Sequence, residues 1–133
     1  MDVIFTDVAV IGAGQAGLSA GYHLRKAGRS PGDGFVMLDR SPGPGGAWQY
    51  RWPSLTLRTV NGVHDLPGMA FADTLTGASP DKVTAAEAVP RYYRAYEEKF
   101  DLQVRRPVTV TVVCDREPRF RVEAGETVLS ARG

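Results

Sequence analysis

The chain has 133 residues, of which 43% are hydrophobic and 23% charged, a composition typical of one globular domain. Its formal net charge of +1 does not favour nucleic acid or an anionic membrane as a partner, and no apolar stretch approaches the ~20 residues of a membrane span. The one cysteine, Cys114, excludes an internal disulfide and fits a reducing cytoplasm, which is the predicted location.

An apolar run followed by a glycine loop begins the predicted fold. Residues 8–17 read VAVIGAGQAG, so a buried strand leads directly into the pattern GxGxxG. Gly12 permits a tight turn, Gly14 lets the backbone approach a pyrophosphate, and Gly17 lets the next helix pack close to the strand. That helix is predicted over residues 15–27, and its N-terminus would offer free N–H groups to phosphates.

A second predicted strand, Phe35–Leu38, places an acid where a ribose would be bound. Asp39 follows this strand, 22 residues after Gly17, and an acid at about that distance accepts the ribose hydroxyls of a dinucleotide. The flanking residues in the predicted cofactor-binding set are Gln15, Ala16 and Arg40. The alternative is a glycine-rich turn without a ligand, which leaves the position of the acid unexplained.

The second half of the chain predicts one long helix and several strands. Apolar residues at helical spacing favour a helix over residues 81–100, which Pro90 would kink or break near Ala88. A short third parallel strand is predicted at residues 102–104. The strands of a predicted antiparallel meander are 108–114, 119–124 and 127–131. The predicted fold class is therefore α/β, a Rossmann-like domain with three parallel strands plus an antiparallel β-meander.

Three further motifs, taken together, resemble a known family. Gly45, Gly46 and Trp48 form the pattern GGxW shortly after the ribose acid, and WPSLTL at residues 52–57 and LPGMAF at 66–71 follow. Their order and spacing resemble the FAD-binding segment of the flavin-containing monooxygenases and Baeyer–Villiger-type monooxygenases, and especially their bacterial FAD/NAD(P) oxidoreductase relatives. The resemblance covers nearly the whole chain.

This resemblance implies FAD as the cofactor and assigns residues to its riboflavin part. Gly45 and Gly46 would let backbone amides approach the flavin, and Trp48 and Trp52 would pack near it. The alternative for both tryptophans is a core position under a long loop. Asn61 is the candidate catalytic residue, because related monooxygenases place a polar residue near the flavin in this loop. An ordinary turn asparagine is the alternative.

Dithiol and metal chemistry are not predicted. Disulfide reductases of the same fold carry a redox-active cysteine pair soon after the glycine pair, where this chain has Ala47 and Trp48 and no second cysteine. His23 and His64 have no Cys, Asp or Glu cluster at ligand spacing, so no metal site is predicted.

The chain has one GxGxxG motif, whereas the resembled family needs a second nucleotide site for the NADPH or NADH that reduces the flavin. We therefore expect residues 1–133 to be the N-terminal portion of the FAD-binding domain of a longer oxidoreductase, of the monooxygenase type, that acts on a small-molecule substrate. The first strand, Val8–Ile11, would then have one open edge. This portion alone is expected to be incomplete for turnover. The alternatives are a non-catalytic FAD-binding fragment and the NAD-binding domain of a simple dehydrogenase.

Overall fold

The computed structural model describes residues 3–50, 65–75 and 83–133. Within these ranges the strands and α-helices are, in chain order, β1 (Val3–Thr6), β2 (Val8–Ile11), α1 (Gln15–Lys26), β3 (Phe35–Leu38), α2 (Ala85–Lys99), β4 (Val112–Arg116), β5 (Arg119–Ala124) and β6 (Thr127–Ala131). Short 3₁₀ helices span Gly46–Tyr50 and Phe71–Thr74. Strands alternate with a helix early in the chain and follow one another at its end, which is typical of a parallel unit joined to a meander.

A two-stranded parallel sheet carries the glycine loop. β2 pairs with β3 from Val8↔Phe35 to Ile11↔Leu38, and α1 connects the two strands, as a parallel pair requires. Gly21 lets α1 lie directly on this sheet, because a Cβ there would be 2.8 Å from the sulfur of Met37. Both strands and the helix therefore occur where the sequence predicts them.

A second sheet has four strands in the order β1-β6-β5-β4. β4, β5 and β6 are antiparallel neighbours, as the predicted meander requires, although β4 begins at Val112 instead of residue 108. The sequence predicts no strand at β1, yet β1 pairs in parallel with β6 from Val3↔Val128 to Thr6↔Ala131. The sheet is therefore mixed, with the meander as its antiparallel part.

β3 lies at the centre of three layers. Phe35 and Met37 belong to an apolar core that they share with residues of α1 and α2. Val36 and Leu38 point the other way, into a second core that they share with residues of β5 and β6. Because alternate side chains of a strand point to opposite faces, burial on both faces explains why this strand is apolar throughout.

The predicted third parallel strand at residues 102–104 is wrong. The parallel pairing with β3 is reduced to one bridge between Leu38 and Arg105. Gln103 has a φ of 51°, which is left-handed backbone and incompatible with an extended strand. Leu102 is buried in the core beside the helices, so its apolar character serves that core and not a sheet.

The second helix also differs from its prediction. α2 begins at Ala85, with Thr84 as its N-cap, instead of at residue 81. A kink or a break is predicted near Ala88, and the break is wrong because the helix continues through Pro90. Buried residues stand on both sides of the proline, and their packing holds the helix together where local propensity alone would interrupt it.

The observed architecture is nevertheless the predicted Rossmann-like α/β class. The edge of β2 that was expected to be open is partly paired, because the N–H of Ala9 donates to the carbonyl of Gly133 at 3.0 Å. In the described part of the chain, no helix is both long enough and apolar enough to span a membrane.

Candidate functional site

The glycine loop after β2 has the geometry that the sequence predicts. Gly12 has a φ of 97°, and its N–H donates to the carbonyl of Leu38 at 2.7 Å, which ties the turn to the end of β3. A Cβ on Gly17 would lie 2.0 Å from the backbone oxygen of Gly12. Since no side chain can occupy that space, glycine is required for α1 to begin this close to the strand.

The N-terminus of α1 has no side-chain cap. Gly14 is the N-cap, with a φ of −82° and no side chain to cap the helix, and its carbonyl accepts the first helical hydrogen bond, from the N–H of Leu18 at 2.9 Å. A Cβ on Gly14 would have no atom of the described residues within 4 Å, so these residues leave open space in front of it. Gln15 and Ala16 are exposed on the same turn. The positive end of the helix dipole is thus accessible to an anion.

A second glycine loop, which contains the pair Gly45 and Gly46, lies close to the first glycine loop. Gly45 and Gly46 have φ angles of 121° and 54°, which favour glycine at both positions. A Cβ on Gly46 would be 3.3 Å from the Cα of Gly14, so the two backbones lie close together. A Cβ on Gly45 would be 2.7 Å from the Cγ of Pro90. The proline of α2 therefore packs against this loop.

These segments line one cavity of about 570 Å³. Its walls come from the first glycine loop, the end of β3, the second glycine loop and the segment before β4. The lining residues are Gly12, Ala13, Gly14, Asp39, Arg40, Ser41, Gly46, Ala47, Tyr50 and Thr109. Motifs that are far apart in sequence thus converge on the open space in front of α1.

Asp39 is buried, 6% exposed, and is held by ionic contacts. The Nε of Arg106 donates to its Oδ2 at 2.7 Å, and the two terminal nitrogens of the same guanidinium donate to the carboxylate of Glu97 at 2.6 Å each. Burial by itself lowers the pKa of Arg106, but the hydrogen bonds to Glu97 and Asp39 outweigh it and raise that pKa above its ordinary value. The guanidinium therefore stays charged.

The structure brings five of the sequence-predicted residues to the walls of the cavity. Gly12, Gly14, Asp39, Arg40 and Gly46 line the cavity. Gln15, Ala16, Gly17 and Gly45 flank its walls without being among the lining residues. Trp52 and Asn61 lie outside the described residues.

Trp48 occupies a different environment from the lining residues. It is half-buried and packs against the core shared by the helices, and its backbone N–H donates to the carbonyl of Gly45 at 3.0 Å. A position of its side chain near the flavin stays a prediction.

Thr109 and Tyr50 line the cavity but are absent from the predicted set. Tyr50 is one of several aromatic residues that follow the glycine pair in the sequence, and that pattern could have drawn attention to it. Thr109 has no such signal, because only the return of the chain past β3 brings it to the cavity.

These features define a class of protein. A glycine loop that opens a helix and an acid that follows the next strand share one cavity, which is the arrangement of a dinucleotide-binding Rossmann domain. The chain belongs to the pyridine nucleotide-disulphide oxidoreductase family, whose model matches residues 9–133. Its one cysteine, Cys114, lies in β4 and is not among the residues that line the cavity.

Comparisons with individual proteins narrow the class. The uncharacterized oxidoreductase CzcO of Bacillus velezensis is 36% identical over 99 residues, which are 74% of this chain and 26% of that protein. A flavin-containing monooxygenase from Stenotrophomonas maltophilia superposes with a TM-score of 0.77 at 41% identity, over 99% of this chain and 37% of that one. A cyclohexanone monooxygenase from Rhodococcus sp. Phi1, bound to NADP+, superposes with a TM-score of 0.73 at 25% identity, over 98% of this chain and 25% of that one.

The resemblance to flavin-containing and Baeyer–Villiger monooxygenases that the sequence motifs predict is confirmed by these matches. The chain spans between 25% and 37% of the length of these three proteins. It therefore corresponds to one part of each of them.

Proposed function

We propose that this chain is the FAD-binding portion of an FAD-dependent, NADPH-using oxidoreductase of the monooxygenase type. The observation that carries the proposal is the convergence of two glycine motifs and Asp39 on a single cavity. Its volume of about 570 Å³ falls within the ~300–1,000 Å³ of small-molecule sites.

The first glycine loop would hold the diphosphate of FAD. The uncapped first turn of α1 offers N–H groups and the positive end of the helix dipole, and Gln15 and Ala16 belong to that turn. Gly14 leaves room for a phosphate, since no atom in the described part of the chain lies within 4 Å of where its Cβ would be. Arg40, on the cavity wall, would add a positive charge beside the diphosphate.

Asp39 would bind the adenosine ribose, and the second glycine pair would approach the riboflavin part. A carboxylate at the end of the second strand accepts hydrogen bonds from ribose hydroxyls. Gly46 approaches Gly14 closely enough for both backbones to contact one ligand. The backbone N–H of Trp48 donates to the carbonyl of Gly45, which fixes the shape of the second glycine loop, and the Trp48 side chain would pack near the flavin. A place for Trp52 and Asn61 beside the flavin stays a prediction.

In the whole protein, bound FAD would supply the redox chemistry, and this chain would bind and orient it. The proposal includes a small-molecule substrate, a cytoplasmic location and residues 1–133 as the N-terminal portion of the FAD-binding domain. Because the sequence has one GxGxxG motif, the NADPH site would be built by other parts of a longer protein.

Isothermal titration calorimetry, in which FAD is added to the chain, tests the proposal. We expect one FAD to bind per chain at least about tenfold more tightly than NAD, a difference of about 1.4 kcal/mol. Gly14→Val should weaken FAD binding at least about tenfold, because its side chain would fill the space in front of α1. The matched control is Gly43→Val, since among residues 3–50, 65–75 and 83–133 the only atom within 4 Å of a Cβ there is the Oε1 of Gln49, at 3.9 Å.

Two results would contradict the proposal. If the chain did not bind FAD, the assignment of FAD as its cofactor would be wrong. If it bound NAD more tightly than FAD, the result would favour the NAD-binding domain of a simple dehydrogenase. FAD binding without oxidation of added NADPH is the expected behaviour of this chain alone.

A further inference from the structure

Three ionic side chains from separate elements meet behind the cavity. Asp39 follows β3, Glu97 lies in the last turn of α2, and Arg106 lies in the segment that leads to β4. The side chains of Asp39, Glu97 and Arg106 are 8%, 11% and 10% exposed. Charged residues are rarely this buried unless they are paired, so the cluster has a defined geometry.

All three nitrogens of the Arg106 guanidinium donate hydrogen bonds within this cluster. Its Nε donates to Asp39 at 2.7 Å, and its two terminal nitrogens form a bidentate contact with Glu97 at 2.6 Å each. The guanidinium is not among the residues that line the cavity. Of the three residues in the cluster, Asp39 is the one that lines the cavity.

The two carboxylate oxygens of Asp39 have different environments. Oδ2 accepts the hydrogen bond from Arg106, whereas Oδ1 accepts none from the residues that the structure describes. No fully buried side-chain polar atom of these residues lacks a partner, so Oδ1 is not sealed off, and Asp39 lines the cavity. One oxygen is thus fixed, while the other is left for a hydrogen-bond donor in the cavity.

The backbone on both sides strengthens this arrangement. The N–H of Asp39 donates to the carbonyl of Arg105 at 3.0 Å, and its carbonyl accepts from the N–H of Val108 at 2.8 Å. The segment that carries Arg106 therefore forms hydrogen bonds with both the main chain and the side chain of Asp39. Because Glu97 balances the charge of Arg106, the cluster keeps one net negative charge for Asp39 to present.

We propose that Arg106, held by Glu97, is a positioning residue that fixes the carboxylate of Asp39 so that Oδ1 faces the hydroxyls of the adenosine ribose. This inference rests on the proposed function, since it assigns the ribose to Asp39. It differs from a purely structural ion pair, which would tie α2 to β3 without affecting recognition of the ribose. A binding ratio separates the two roles.

The test compares ADP with 2′,3′-dideoxy-ADP by calorimetry on the 133-residue chain. Wild-type protein should bind ADP about 10-fold or more tightly than the dideoxy compound, because hydrogen bonds to a charged group are among the stronger ones. Arg106→Gln should bring this ratio below about 3-fold, mainly through weaker ADP binding. Arg106→Lys should give an intermediate ratio, because an ammonium keeps the charge but not the planar fork.

A neighbouring arginine provides the control, and a milder variant guards against misfolding. Arg105 is exposed, and only its backbone holds β3, so Arg105→Gln should keep the wild-type ratio. Should Arg106→Gln fail to fold, Glu97→Gln keeps Arg106 but weakens its anchor, and it should lower the ratio as well. Urea unfolding of each variant confirms that binding is measured on folded protein.

The outcomes distinguish this inference from the proposed function. A wild-type chain that does not bind ADP would overturn both. A wild-type chain that binds ADP and the dideoxy compound equally would overturn the positioning role together with the assignment of the ribose to Asp39, but not FAD binding itself. An Arg106→Gln variant that loses affinity for both compounds by the same factor would overturn only the positioning role. A fall in the ratio with Arg106→Gln and not with Arg105→Gln supports it.

Discussion

Gly14 and Gly17 belong to the same GxGxxG motif but have opposite surroundings. A Cβ on Gly14 would have no atom of the described residues within 4 Å, whereas a Cβ on Gly17 would lie 2.0 Å from the backbone oxygen of Gly12. Gly14 also has an ordinary φ of −82°, which any residue can adopt. Gly14 therefore leaves space in the cavity, and Gly17 permits the close contact between α1 and β2.

Alanine substitutions at these two positions should separate stability from binding. Gly17→Ala should destabilise the fold by at least about 3 kcal/mol, because the backbone must move to admit the methyl group. Gly14→Ala should cost less than about 1 kcal/mol but should weaken FAD binding. Urea unfolding and FAD titration measure the two effects. Equal destabilisation by both substitutions would contradict the assigned roles.

The tyrosines of α2 explain why a segment rich in turn residues has a fixed position. The hydroxyl of Tyr92 accepts from the N–H of Leu66 at 2.7 Å and donates to the carbonyl of Met69, and the hydroxyl of Tyr96 donates to the carbonyl of Pro67 at 2.6 Å. Burial raises the pKa of both phenols above their ordinary value of 10.0, so they remain donors in neutral solution. One helix thus anchors the whole turn at residues 66–69.

The same turn gives the LPG pattern a structural reason. Pro67 and Gly68 occupy the two central positions, and Gly68 has a φ of 87°, which is typical of a type II turn. A Cβ on Gly68 would lie 2.4 Å from the ring of Tyr22 in α1. The motif therefore packs the turn against both helices, and the described contacts do not connect it with the cavity.

Removal of one hydroxyl at α2 tests this anchoring. Tyr92→Phe should lower the free energy of unfolding by about 1–3 kcal/mol, because it leaves the N–H of Leu66 without its partner. Tyr93→Phe is the matched control: its ring is also buried, but its hydroxyl makes no hydrogen bond to the described residues. We expect its effect to stay within about 0.5 kcal/mol. A loss from Tyr92→Phe no larger than that from Tyr93→Phe, measured by urea unfolding, would contradict anchoring of the turn by the Tyr92 hydroxyl.

In the whole molecule, the features predicted from the sequence are those with a local signal. The strand, glycine loop, helix and acid around Asp39 occur as predicted, because periodicity and glycine spacing act over short distances. The pairing of β1 with β6 could not be predicted, since it joins Val3 to Val128 and leaves Phe5 65% exposed. An amphipathic pattern within a four-residue strand cannot indicate which distant strand it pairs with.

The same reasoning explains the errors near the site. Arg106 has the strongest contacts to Asp39, yet the sequence offers only a pair of arginines before a proline. Its role depends on how α2 and the segment before β4 converge, which is a property of the tertiary structure. Pro90 likewise reads locally as a helix breaker, whereas its ring packs against the second glycine pair.

The central claim is that the cavity in front of α1 binds the ADP half of FAD, and a crystal structure of the chain grown with FAD tests it most directly. The account predicts the diphosphate against Gly12 and Gly14, and a ribose hydroxyl within about 3 Å of Oδ1 of Asp39. FAD bound elsewhere on the molecule, or bound in the cavity with its ribose away from Asp39, would contradict it.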